Sequence, residues 1–172
     1  TILDTSRLQS ELARRFHISP KNVHAHVYGE HGDSSFVPWS LANISNVAVD
    51  KYHESVPGRK IAFPPLDHEE VETYMRKSGA KVIERKGATF YAVSISVCHI
   101  IKCLFGGMDT TLTVSAPMHG EYGVEDVCLS TLNIVGPNGL GSKVMTPLTD
   151  EEIALLHKSA NTLKDLIKGL DI

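Results

Sequence analysis

The sequence predicts an α+β fold, an antiparallel sheet packed with long helices. Three observations lead there. The chain opens on a helix-period segment in which Leu8, Leu12 and Phe16 form one apolar row. Residues 110–146 alternate like strands and are punctuated by the turn Gly136-Pro137-Asn138-Gly139. Ile153, Leu156, Ala160, Leu163, Ile167 and Leu170 then recur at spacings of three and four, as on one face of a helix. Helices and strands gathered in blocks argue against a doubly wound parallel sheet. With 172 residues, 42% of them hydrophobic, the chain suffices for one domain with a substantial core.

The first helix is expected over residues 2–16, with Pro20 beyond its end. Asp4, Arg7, Glu11 and Arg14 form a second row on it, charged, which by spacing alone reads as a solvated face. Residues 23–28 alternate as a strand, with Val23, Ala25 and Val27 on one side and His24, His26 and Tyr28 on the other. Gly29 to Ser34 reads as a loop, and Phe36-Val37 as a short return strand ended by Pro38. Residues 41–65 are poorly periodic and contain Pro57, Gly58, Pro64 and Pro65, so a loop with at most short elements is expected.

Asp67 is placed to cap a second helix, with Glu70 completing a capping-box-like start. Val71, Met75, Val82 and Ile83 suit that helix, which ends near Gly87. Thr89 reads most simply as the N-cap of a third helix. There Val93, Val97, Ile100, Ile101 and Leu104 leave so little polar surface that burial between layers is expected, up to Gly106-Gly107. Leu112, Val114 and Ala116 alternate with Thr111, Thr113 and Ser115, and Val127 to Val135 is the longest strand candidate. Thr149 to Glu152 is a capping box opening the last helix.

The net charge of -3 and the lack of any basic run exclude an evident nucleic-acid surface. No apolar stretch approaches the roughly 20 residues that span a bilayer, so no membrane partner is expected. Thr1 leads straight into a charged, helix-like segment, which reads as an excised domain without a signal peptide. Cys98, Cys103 and Cys128 are odd in number, which favours reduced core thiols in a cytoplasmic protein.

Three segments could perform chemistry. Asp4 and Arg7 share a helix face, where a guanidinium can grip a carboxylate through two parallel hydrogen bonds and a neighbouring carboxylate can orient an imidazole. His31 lies between Gly29 and Gly32 on a loop leaving a strand, and imidazole exchanges protons near neutral pH. Thr89 puts a hydroxyl at a helix start, within reach of a small ligand. Each has a plain reading too: an ion pair, one of nine histidines, a cap. His24 and His26 share a strand face but lack further ligands at metal-site spacing, so no metal is expected. Gly136 to Gly141 is a turn, and G-x-G-x-x-G occurs nowhere.

In this order, the segments resemble the C-terminal domain of the L-lactate/malate dehydrogenase family. Leu3-Asp4-Thr5-Ser6-Arg7 is similar to its L-D-T-x-R helix, and Asn22 to Ser34, with Gly29-Glu30-His31-Gly32-Asp33 at its end, to its histidine segment. Lys86 to Tyr91, Leu112-Thr113-Val114-Ser115 and the last helix match as well. The resemblance implies an NAD-dependent dehydrogenase whose Rossmann domain, the cofactor-binding N-terminal half, lies outside this chain, leaving the fragment inactive. It implies that His31 exchanges the proton, that Asp4 bonds this histidine and fixes its tautomer, and that Arg7 binds the substrate carboxylate. Thr89 would line the substrate pocket, and Val93 would face the nicotinamide.

Phe36-Val37-Pro38-Trp39-Ser40 and Gly29-Glu30-His31 favour a lactate type, interconverting pyruvate and lactate, over a malate type; a 2-hydroxyisocaproate type stays open. Bacterial members that bind fructose 1,6-bisphosphate use a histidine matched by His24 and an arginine where Gln9 stands, so strong activation by that sugar phosphate is not expected. The family forms homodimers or homotetramers. The contrasting reading is a non-enzymatic binding or oligomerisation module.

Overall fold

The computed structural model describes residues 1–58 and 65–170. The elements run α1 (Ile2–Phe16), β1 (Val23–His24), β2 (Asn43–Ile44), β3 (Val47–Ala48), α2 (His68–Lys86), α3 (Tyr91–Phe105), β4 (Thr110–His119), β5 (Glu125–Gly136), β6 (Gly139–Lys143) and α4 (Asp150–Lys168), with short 3-10 turns between them. They form two antiparallel three-stranded sheets, ordered β1-β2-β3 and β4-β5-β6. The expected α+β class and its antiparallel sheet are therefore present. The loop expected over 41–65 holds β2, β3 and the 3-10 turn Val49–Lys51; its residues 59–64, Pro64 included, lie outside the described residues.

Two cores hold these layers together. Leu8, Leu12 and Phe16 of α1 pack with Val23, Ala25, Val27, Ile44 and, from α2, Val71 and Met75. Tyr28 and Phe36 join Met118, Val127, Leu129, Leu156 and Ala160 in the second. The alternation read over 23–28 therefore fails at its end. Regular pairing stops at His24, and Tyr28 is fully buried against the second core instead of facing outward with His24. Its hydroxyl bonds Thr146 Oγ1 at 3.1 Å, which satisfies the polar tip of a buried ring.

The charged row of α1 is not a solvated face. Asp4 and Glu11 are only 6% and 3% exposed. Glu11 survives burial because Arg14 and Arg15 both hydrogen-bond it. Burial alone would raise its carboxyl pKa, but the two guanidiniums outweigh that and leave it lowered. Arg15 also bonds Glu70, so the Glu70 carboxylate ties α2 to α1. Only the Asp67 half of the expected capping box forms, accepting from the Glu70 N–H at 2.9 Å.

The third helix departs furthest from expectation. None of its residues is buried, and Val93, Ile95, Val97 and Phe105 are exposed. It begins at Tyr91 with no side-chain cap, so Thr89 is not its N-cap. On α2, Val71 and Met75 are buried while Val82 and Ile83 are exposed, and on α4 the stripe is buried at Leu156 and Ala160 but exposed by Ile167, with Leu170 beyond the helix end. Cys98 and Cys128 are exposed free thiols, not core ones, and Cys103 is half-buried. Among the described residues no helix is long and apolar enough to cross a membrane.

The Thr149–Glu152 box forms as expected. Glu152 does more than cap. It accepts from the Ser40 N–H at 3.0 Å and the Ser40 hydroxyl at 2.7 Å, pinning the segment after the histidine loop to α4. Glu152→Ala should lower unfolding free energy by about 2 kcal/mol in urea denaturation, from a lost cap and lost charge-assisted bonds. Glu151→Ala, on the exposed side, should stay within about 0.5 kcal/mol of the parent.

Candidate active site

The site is assembled where three elements converge: the start of α1, the loop after Val27, and the α2–α3 junction. The start of α1 is tied down by Thr5. Its hydroxyl accepts from the Val27 N–H at 3.1 Å and bonds Thr113 Oγ1 of β4 at 2.9 Å. Asp4 and Arg7 are thereby set beside the loop stem.

The loop itself is held at its neck. Tyr28 and Phe36 exchange backbone hydrogen bonds of 2.9 and 3.1 Å, and Gly29 exchanges two of 2.9 Å with Ser130 of β5. Gly29 has a φ of 91°. A Cβ built there would stand 2.7 Å from Ser159 Oγ, so both backbone angle and close approach require glycine. Past the neck, the Glu30 N–H donates to Ser159 Oγ at 2.7 Å, and the Glu30 carboxylate accepts from the Ser34 N–H and hydroxyl.

His31 projects from this loop with its side chain 75% exposed. Its Nδ1 lies 2.7 Å from Asp4 Oδ2. A carboxylate only accepts, so Nδ1–H is the donor and Nε2 is left for a ligand. The other Asp4 oxygen, Oδ1, accepts from Arg7 Nη1 at 3.1 Å. One buried carboxylate thus bridges an imidazole and a guanidinium.

Asp4, Arg7, His31, Thr89 and Val93 all line one cavity of about 720 Å³. The five residues picked out for catalysis, substrate and cofactor are brought together. His24 and Gln9 are not in it. His24 is exposed on β1, and the Gln9 amide donates to the Ala25 carbonyl at 3.1 Å. His26 is half-buried, its pKa lowered first by burial and then by His24. No group of three or more His, Cys, Asp or Glu suited to a metal occurs among the described residues.

Sequence reasoning missed three supports of the loop: Ser159, Glu72 and Arg76. Ser159 was detectable as a polar residue beside Ala160 on the inward face of α4. Glu72 and Arg76 sit four apart on α2 like any surface ion pair, so their spacing gives no signal.

Residues 1–170 match the alpha/beta C-terminal domain of lactate/malate dehydrogenase. The chain belongs to the lactate/malate dehydrogenase family. The L-lactate dehydrogenase of Thermoanaerobacterium saccharolyticum is 42% identical over all 172 residues, which are 54% of its own length. That of Acetivibrio thermocellus is 40% identical, with 53% of its length covered. An L-lactate dehydrogenase structure from Clostridium thermocellum superposes with a TM-score of 0.87 at 30% identity over all of this chain and 55% of that one. The minor L-lactate dehydrogenase of Enterococcus mundtii gives 0.88 at 29% identity, over all of this chain and 54% of that one. The chain thus spans about half the length of the relatives it matches, and the half it spans is the family's C-terminal domain.

Gly29→Ala should destabilise the fold by about 1–3 kcal/mol, from a side chain in a left-handed conformation and its clash with Ser159. Thermal unfolding of the purified protein measures this, and an unchanged midpoint would show that the neck of the loop can move aside.

Proposed function

We propose that this chain is the substrate-binding half of an NAD-dependent L-lactate dehydrogenase that interconverts pyruvate and L-lactate. The observation behind this reading is the Asp4 carboxylate shared between His31 Nδ1 and Arg7 Nη1 at the wall of one cavity.

Each residue of the cavity has a distinct task. Arg7 binds the substrate carboxylate through guanidinium hydrogens that Asp4 does not use, and so sets the orientation of the 2-oxo or 2-hydroxy carbon. His31 Nε2 faces the substrate oxygen. In reduction it gives the proton that turns the carbonyl oxygen into a hydroxyl, and in oxidation it takes that proton back. Asp4 holds the ring in the tautomer that leaves Nε2 available. The Thr89 hydroxyl lines the substrate end of the cavity.

The residues present fit one part of a nicotinamide dinucleotide. Val93 and Val97 of α3 put an apolar, half-exposed surface at the same cavity, suited to one face of a nicotinamide ring. When bound, that ring supplies or accepts the hydride. The sequence has no glycine-rich phosphate cradle, so the remainder of the dinucleotide would be held by a Rossmann domain in the part of the protein beyond this chain. The exposed apolar face of α3 agrees with a domain that works against more protein, either that domain or another subunit of a homodimer or homotetramer. The named relatives and the Trp39 segment favour lactate over malate. Exposed thiols at Cys98 and Cys128 suit the reducing cytoplasm.

In the full-length protein, His31→Ala should lower kcat with pyruvate and NADH by about 10²–10⁴-fold. Arg7→Lys should chiefly raise KM, because an ammonium cannot form the planar fork. Wild-type rates in both variants would remove the assigned roles. The isolated 172-residue chain should show no turnover of pyruvate with NADH in a spectrophotometric assay; measurable NADH oxidation would disprove the need for a second domain.

A further inference from the structure

The proton-transfer loop has little backbone pairing of its own between the Tyr28–Phe36 bridge and its tip, so its height above the cavity depends on side chains. On the incoming side these are Ser159 and Glu30. On the outgoing side Ser34 Oγ reaches Ser159 Oγ at 3.0 Å and Ser40 is bonded to Glu152, and the stretch between them is held by two residues of α2. Arg76 Nη1 donates to the Ser35 carbonyl at 2.8 Å and to Glu72 Oε2 at 2.9 Å. Glu72 Oε1 accepts from Trp39 Nε1 at 2.8 Å and from the Val37 N–H at 3.4 Å.

The pair therefore engages positions 35, 37 and 39, every second residue leaving the loop. The two side chains are 25% and 16% exposed. An ordinary exposed pair four apart on a helix contributes a few tenths of a kcal/mol and touches nothing else. Here each partner has a second bond on another segment. A pair partly shielded from water is a weak source of stability.

We infer that the Glu72–Arg76 pair is a positioning device for His31, clamping the outgoing stem of the loop to α2 so that Nε2 meets a substrate held by Arg7. This rests on the function proposed above. Arg76 also lines the cavity, with Nη1 given to Ser35 and Glu72, and a split between KM and kcat separates action through the loop from contact with the substrate. Displacement by about 1 Å at a reacting group can cost about 10²-fold in rate, so loosening the stem should act on kcat.

The test uses the full-length protein, with Arg76→Met, Arg76→Lys and Glu72→Gln assayed on pyruvate and NADH. Arg76→Met should lower kcat about 10–100-fold with KM changed by less than about threefold. Arg76→Lys, which can still donate to the Ser35 carbonyl, should recover most of the rate. Glu72→Gln should give an intermediate loss of rate. Near-UV circular dichroism at the assay temperature verifies that each variant is folded. An unchanged kcat in a folded Arg76→Met variant would overturn the inference. So would a raised KM at constant kcat, which would make Arg76 a substrate contact. Failure of the functional reading looks different: the parent protein would not reduce pyruvate, or His31→Ala would leave its rate untouched.

Discussion

Everything at the site depends on a carboxylate that has been taken out of water. An isolated buried carboxylate is costly, and the usual outcome is a partner or a lost charge. Asp4 has two partners, one on each oxygen, and they are the groups to which the proposed function gives the chemistry. The arrangement makes burial and function the same constraint. Asp4 can be 6% exposed only while Arg7 and His31 are where they are, and those two are oriented only while Asp4 stays buried. Leu8, Leu12 and Phe16 press α1 against the first core, and the Thr5 hydroxyl ties its start to Val27 and Thr113. The helix thus carries the carboxylate into place with little freedom to slide.

Much of this was legible in the sequence, and the failures share a cause. Helix α1, the cap at Asp67, the Gly136–Gly139 turn and the box at Thr149 are local features, set by residues within four positions of one another. They stand where the pattern put them. Tyr28 was misassigned because a strand pattern assumes that pairing continues, whereas the chain leaves β1 after His24 and twists toward β5 at Gly29. Glu11 looked solvated because spacing cannot distinguish a charge facing water from a charge facing two arginines. The five cavity residues were found through family resemblance more than through pattern. The clamp of Glu72 and Arg76 could not be found that way, since its partners on the loop are backbone atoms and an indole nitrogen.

The third helix shows the same limit from the opposite direction. Its composition suggests a covered helix, for Val93, Ile95, Val97, Ile101 and Phe105 leave scarcely a polar stripe, yet the structure leaves these residues exposed. The inference that this chain buries it was the error, because hydrophobicity reports that a surface is covered without saying by what. The likeness to proteins about twice as long puts that result in context.

Under the proposed function, the division of labour between helix and loop follows from what each group would do. Arg7 would present a planar fork in one orientation, and a helix pinned at both a core and a hydroxyl gives such rigidity. In that function His31 would reach a substrate oxygen from the side, with one ring nitrogen bonded to Asp4 and the other open, and no helix face offers both. A loop does, at the cost of mobility, and the remedy here is a set of side-chain restraints from three directions: Ser159 of α4, the Asp4 oxygen of α1, and the charged pair of α2. Their hydrogen bonds are short where they meet the loop, at 2.7, 2.7 and 2.8 Å. An exposed imidazole held in this way keeps solvent access on one nitrogen while its position is set by buried atoms. That combination suits the proton exchange proposed for this cavity, and the loop draws on three different helices for its support.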